Sequence, residues 1–277
     1  MAKDKLRLDV LLVERGIFGG REKAKAAIMA GEIKVNGTVC DKASQTISAD
    51  ATIEVLGDNL PYVSRGGLKL AKAISEFGIH LKDKIIIDLG ASTGGFVDCA
   101  LQNGAAKVYA VDVGYGQLAW KLRQNPRVVV MERTNARYLT KADITEPVDM
   151  ITADLSFISL QKAIPSAVEQ LLREGGELVA LIKPQFEAGR DKVGKKGVVR
   201  DAVTHVDVIN NIITACGNMG LYPLGLSFSP VTGPNGNIEY LIWACKQNVP
   251  TEKLDAKLDV KKVVETAWIK LAKNTVF

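Results

Sequence analysis

Four charged residues, far apart in the chain, fall where a fold could gather them. Asp154 ends an apolar run just before "LSF", and Lys183 ends "VALIK" directly before a proline. Glu239 interrupts the otherwise apolar "NIEYLIW", and Lys69 stands in "SRGGLKLAKA". Singly, each reads as a solvated strand-end charge or a helix-surface lysine. Together, two amines and two carboxylates suit taking a proton from a weakly acidic hydroxyl. An ammonium is no base, so burial and a second lysine nearby must favour the neutral amine. On this reading Lys183 is the base and Lys69 its cationic neighbour, with Asp154 and Glu239 orienting both.

A second constellation says what such a base would serve. "DLGASTGGF", residues 88–96, follows the apolar run Ile85-Ile86-Ile87 and opens a helix. A dinucleotide fingerprint wants glycine where Ser92 stands, and a phosphate-binding P-loop wants lysine and Ser/Thr where Phe96 and Val97 stand. No side chain here neutralises a polyphosphate. Asp88, at the strand end, repels anions and attracts cations. S-adenosyl-L-methionine, with an ammonium, a sulfonium and no phosphate, fits that environment. Its carboxylate can take backbone N–H groups near Thr93 and Gly94, beside Gly90 and Ser92 in the loop. Asp112 ends the next strand, where an acid can accept both ribose hydroxyls. Thr134 and Asn135 fall near the expected adenine. No metal is called for: His80 and His205 are the only histidines, and Cys40, Cys99, Cys216 and Cys245 form no CxxC pair.

A methyl donor needs an acceptor. Enzymes that methylate exocyclic amines usually carry Asp/Asn-Pro-Pro-aromatic after the fourth strand, and Leu155 and Ser156 replace both prolines. Methylation of pyrimidine carbon needs a cysteine at a strand end, whereas Cys99 lies on the helix after the glycine loop. A ribose 2′-hydroxyl remains, and it matches the lysine–carboxylate set.

These residues require a particular frame. Strands fit at 84–89, 107–113, 127–132, 148–154 and 177–183, separated by helices. "LGLSFSP" and "NIEYLIWAC" then form a closing pair joined by "TGPNGN". The expectation is an α/β, Rossmann-like, doubly wound sheet with an antiparallel last strand, the form usual for adenosylmethionine-dependent methyltransferases. Before it, Leu8, Leu11 and Leu12 share a helical face ended by Gly16. A second helix runs to Gly31, and "IKVNGTV" signals an Asn-Gly hairpin. The expected domains are a small α+β module at 1–59, a linker at 60–64, the catalytic domain at 65–250 and an amphipathic helix at 251–277. In that last helix Val260, Val264, Trp268 and Leu271 share a face.

The chain has 277 residues, 47% of them apolar and 24% charged, and a formal charge of +5. That excess permits a nucleic-acid partner without demanding one. The charged start "MAKDKLRLD" is no secretory signal, and no apolar run approaches the roughly 18 residues of a membrane span. The expected compartment is the cytoplasm, with the four cysteines reduced and packed as small apolar residues.

"DLGASTGGF", "DVGYGQLAW", "ERTNAR", "ADLSFISL" and "KPQFE", with the lysine–aspartate–lysine–glutamate order, resemble the TlyA family. These are bacterial ribosomal RNA 2′-O-methyltransferases with an FtsJ-like catalytic domain. "RLDVLLVERG" and "REKAKAAIMAGEIKVNG" resemble the small RNA-binding module of ribosomal protein S-four. The resemblance implies transfer from adenosylmethionine to a cytidine 2′-hydroxyl in ribosomal RNA, within ribosomal subunits. A helical C-terminal extension accompanies the longer members, which are associated with both subunits. The oligomeric state is left open, with a monomer favoured.

RNA contacts follow from charge and exposure. Seven basic against four acidic residues in the first 25 put Arg7, Arg15, Arg21 and Lys23 among the candidates. Arg65, Arg133 and Arg137 join them, with Lys195 and Lys196 in "GRDKVGKKGVVRD", which reads as a mobile phosphate clamp. Phe157 and Tyr115 are the aromatics placed to stack on a base drawn out of its helix. The rival classes are a membrane-active haemolysin, a label that family also carries, and a non-catalytic RNA-binding assembly factor. The first lacks a signal and a span, and the second predicts a broken lysine–carboxylate set.

Overall fold

The computed structural model describes residues 5–56, 60–246 and 258–271. Its first part is held by a small core of its own. β1 (Lys5–Arg7) runs into α1 (Leu8–Glu14), and α2 (Arg21–Met29) packs beside it. Leu8, Leu11, Leu12, Ala24, Ala27 and Ile28 meet Ile33, Val35 and Ile47 there. β2 (Ile33–Val35) turns at Asn36 and Gly37, both at positive φ, into β3 (Thr38–Cys40). That is the Asn-Gly hairpin expected from the sequence. β4 (Thr46–Ser48) pairs antiparallel with β1, and β5 (Ile53–Val55) pairs antiparallel with β2.

The larger part alternates strands and helices. α3 (Gly66–Phe77) precedes β6 (Ile85–Leu89), α4 (Gly95–Gln102), β7 (Lys107–Val111), α5 (Trp120–Arg123) and β8 (Val128–Met131). Then come β9 (Val148–Ala153), α6 (Leu160–Ala163), α7 (Pro165–Gln170), β10 (Leu172–Ile182) and α8 (Pro184–Glu187). α9 (Ala202–Asn218), β11 (Leu221–Phe228), β12 (Tyr240–Lys246) and α10 (Val260–Leu271) complete it. One sheet is ordered β11-β12-β10-β9-β6-β7-β8. β10, β9, β6, β7 and β8 are parallel, while β12 is antiparallel to both β10 and β11.

The central strands read as nearly unbroken apolar runs because both faces are covered. Ile87, Ile151 and Ile182 belong to the core on one side, and Ile86, Met150 and Leu181 to the core on the other. β10 starts earlier than its apolar run suggests, with a register shift between Leu172 and Glu177. Val260, Val264 and Ala267 of α10 are buried against the first core, with Trp268 and Leu271 packed beside them. The rest of the expected 251–277 helix lies outside the described residues.

Chain order reverses beside β6, which lies between β9 and β7. In an open α/β sheet, that reversal opens a crevice at the carboxyl ends of the strands. The expected boundary near residue 59 falls in 57–59, outside the described residues. The small module meets the sheet domain directly: Arg65 donates its N–H to the Ala30 carbonyl at 3.2 Å.

Candidate active site

The loops leaving the parallel strands bring the four charged residues together. Asp154 directly follows β9, its N–H bonded to the Leu89 carbonyl at 3.0 Å. Gly90, at φ +85°, faces it so closely that a Cβ would lie 2.8 Å from the Asp154 carbonyl oxygen. Any larger residue would push the two strand ends apart. Lys183 directly follows β10, and Pro184 opens α8 at a position where its missing N–H costs nothing. Glu239 precedes β12 rather than lying within it, a correction of one residue to its expected place.

Lys69 reaches the group from α3. Its Nζ donates to Glu239 Oε2 at 2.8 Å and to Asp154 Oδ2 at 3.1 Å. Lys183 Nζ lies 2.6 Å from Asp154 Oδ1, an ion pair that is not a well-aligned hydrogen bond, and donates to Ser156 Oγ at 3.0 Å. The chain Glu239–Lys69–Asp154–Lys183–Ser156 is thus continuous. Burial disfavours the Lys69 ammonium, but the two carboxylates outweigh it and hold its pKa above the ordinary lysine value. Burial likewise disfavours ionised Asp154, and the two lysines outweigh it, leaving its carboxyl well below the usual range. Lys69 and Asp154 are therefore fixed as cation and anion.

A cavity of about 470 Å³ opens beside this chain. Gly90, Ser92, Asp112, Thr134 and Asn135 line it, together with Asp154, Ser156 and Phe157. No lysine or arginine occurs in its lining, while Asp112 and Asp154 do. Both Asp112 oxygens already accept backbone N–H groups, from Ser92 at 2.8 Å and Gly114 at 2.7 Å. A carboxylate oxygen has a second lone pair, so each can still accept a hydroxyl.

Asp88 and Thr93 line an adjoining recess with all four charged residues. Asp88 Oδ1 accepts from Thr152 Oγ1 at 2.8 Å, and its buried Oδ2 has no partner among the described residues. Burial pushes this carboxyl up to about 7, and the nearby acids Asp154 and Asp112 add to the rise. Gly94, expected beside the cofactor, lines neither recess. Its N–H is taken by the Ala91 carbonyl at 2.7 Å, and it backs onto Leu118 and Leu122.

The RNA candidates divide. Phe157 is 80% exposed, and Tyr115 is also exposed, with Arg133 stacked over its ring at 4.3 Å. Arg137 lies on the same rim, over Tyr138 at 5.6 Å. Lys23, Lys195 and Lys196 are exposed. Arg7 and Arg21 instead grip the fully buried Asp9, each at 2.9–3.0 Å. Arg15 donates to the carbonyls of Ala51 at 2.7 Å and Ala49 at 2.5 Å. These three arginines tie the small module together, a role that surface charge alone does not suggest. Arg65 sits at the seam between the two parts, its Nη2 3.5 Å from the Thr232 carbonyl.

The 189–201 segment also differs from the mobile clamp expected. Asn235 and Asn237 donate to the Lys196 and Gly197 carbonyls at 3.0 and 2.9 Å, pinning its tip. Sequence reading did not single out Ser156 or Thr152. Ser156 was legible as the residue after the strand-end "ADL". Thr152 is hidden inside the strand, and nothing marked it.

A doubly wound sheet with this crevice and a closing antiparallel strand defines a methyltransferase, and comparison with known proteins agrees. The chain belongs to the FtsJ-like methyltransferase family, which matches residues 62–246, and residues 6–53 match the S4 domain. It is 43% identical to the 16S/23S rRNA (cytidine-2′-O)-methyltransferase TlyA of Mycobacterium tuberculosis, over 86% of this chain and 88% of that protein. It is 43% identical to Hemolysin A of Brachyspira hyodysenteriae, over 85% of this chain and 98% of that one. A solved structure described as a candidate hemolysin from Streptococcus thermophilus superposes with a TM-score of 0.77 at 44% identity, covering 99% of both chains.

Proposed function

We propose that this protein transfers a methyl group from S-adenosyl-L-methionine to the 2′-hydroxyl of a cytidine in ribosomal RNA, within ribosomal subunits in the cytoplasm. The observation that carries the reading is the continuous Glu239–Lys69–Asp154–Lys183 chain, whose Asp154 is also part of the wall of the cavity. The lining, acidic and without lysine or arginine, suits a cation and not a polyphosphate. Adenosylmethionine, when bound, supplies an electrophilic sulfonium methyl. Asp112 would accept the ribose hydroxyls, with Thr134 and Asn135 beside the adenine.

Lys183, once its ammonium has given up a proton to solvent, takes the proton from the 2′-hydroxyl as that oxygen gains the methyl. Asp154 and Ser156 aim the amine. Lys69, held as a cation, and Glu239 keep Asp154 in place. Phe157 and Tyr115 offer rings for an unstacked base, and Arg133, Arg137, Lys195 and Lys196 offer charge for the backbone. The module at 1–59, joined through 60–64 to the catalytic domain at 65–250, would hold RNA away from the reacting atoms. The cytidine target and ribosomal context rest on the TlyA relatives.

Lys183→Ala separates chemistry from binding. Transfer to ribosomal subunits should vanish while adenosylmethionine affinity, measured by calorimetry, stays nearly unchanged. Retained transfer, or lost cofactor binding, would remove Lys183 as the base.

A further inference from the structure

Next to the 470 Å³ cavity, and sharing Phe157 and Ile158 with its lining, lies a recess of about 600 Å³. Phe157 and Phe186 form its aromatic wall, with ring centroids 5.2 Å apart. Arg137, Lys162 and Arg190 give it a cationic rim, and Gln185 lines it between them. Gln185 is two residues beyond Lys183 on α8, and Phe157 follows the Ser156 that bonds Lys183.

Gln185 carries an unspent group. Among the described residues its buried Oε1 accepts from no donor, and its amide nitrogen donates to no acceptor. A buried acceptor without a donor is costly, and Gln185 lines the recess, where a bound donor would satisfy it. The scaffold around it is fixed. Glu187 accepts from Ser159 Oγ at 2.6 Å and Leu160 N–H at 2.8 Å, clamping α8 to α6. The polar atoms of Gln185 are thus unemployed inside a rigid aromatic, cationic recess, the chemistry of a nucleobase site.

We propose that this recess is the target-base site and that Gln185 Oε1 accepts a hydrogen bond from the exocyclic amine of the base, stacked on Phe157. The inference rests on the ribose-methylation reading above and adds to it the residue that selects the base.

The test uses the full-length protein and ribosomal RNA assembled by splinted ligation around a synthetic segment. At the mapped target position, that segment carries either cytidine or pyrimidin-2-one ribonucleoside, which differs in lacking the 4-amino group. For the wild type, removing the amine should lower kcat/KM about tenfold. In Gln185→Leu the two RNAs should be used equally, at the lower rate. Gln185→Glu, nearly the same shape and still an acceptor, should keep the discrimination. Equal use of both RNAs by the wild type, or the same tenfold loss in Gln185→Leu, would overturn the assignment. No ribose methylation of the cytidine RNA by the wild type would instead remove the underlying reading, and this site with it.

Discussion

Lys69 Nζ lies 2.8 Å from Glu239 Oε2, joining α3 to the start of β12 across 170 residues of sequence. Glu239 is 1% exposed, and its ion pair is with Lys69. Removing one member of a buried pair strands the other charge, at a cost of about 3–5 kcal/mol. Lys69 keeps Asp154, so Glu239→Ala should fall at the lower end of that range. A clear drop in the denaturation midpoint is expected, with transfer reduced as Lys69 loses one of its two carboxylate anchors. An unchanged midpoint with full activity would show that Glu239 holds nothing.

Asp88 gives the site a pH dependence. Its carboxyl titrates at about 7, well above the ordinary carboxylate value, because it is buried. A cationic ligand favours the ionised form, so adenosylmethionine should bind more tightly as pH rises from 6 to 8, levelling off above. Folding stability moves the other way. Native Asp88 holds its proton more firmly than the unfolded chain, so its contribution is full below the unfolded carboxylate pKa. It is then lost as pH rises toward about 7. Calorimetry across this window should give a sloping affinity for the wild type and a flat one for Asp88→Asn. A flat wild-type profile would place the cation elsewhere.

Arg15 and Lys23 are both exposed cations of the small module, yet they should behave oppositely. Arg15 bonds two backbone carbonyls, whereas Lys23 has no hydrogen-bond or ion-pair partner among the described residues. Arg15→Ala should cost roughly 1.5–3 kcal/mol of module stability, the range for hydrogen bonds to a charged group. Lys23→Ala should leave stability alone while weakening RNA binding and reducing its salt dependence by about one counterion. The checks are thermal denaturation and a salt titration of RNA binding. A salt slope unaltered by Lys23→Ala would take that residue off the RNA.

Much of the site was readable because its residues stand next to strand ends. A carboxylate or lysine that closes a buried apolar run has to emerge at the sheet's mouth, as Asp88, Asp154 and Lys183 do. Their mutual contacts were not readable. That Lys69 bonds Glu239 depends on how α3 crosses the sheet, which no local pattern encodes. Hydrophobic periodicity also placed the five parallel strands and the Asn-Gly hairpin. It did not announce the β1–β4 pair, whose three-residue strands are too short to show alternation.

The internal bonds of the arginines were hidden for a related reason. Arg7 and Arg21 looked like a basic surface because Asp9, the acid that holds them, is a helix residue with no sign of burial in the sequence. The 189–201 segment looked free because its anchors, Asn235 and Asn237, lie about 40 residues further along the chain.

The central claim is that the methyl goes to a ribose oxygen. The most direct measurement incubates the protein with ribosomal subunits and methyl-labelled adenosylmethionine, then digests the RNA and resolves the labelled product. A 2′-O-methyl group blocks cleavage of the neighbouring phosphodiester by alkali. The label should therefore survive alkaline hydrolysis in a dinucleotide whose 5′ residue is 2′-O-methylcytidine, and it should be absent when Lys183→Ala replaces the wild type. Label released in alkali-generated mononucleotides, as a methyl group on the base, would contradict it.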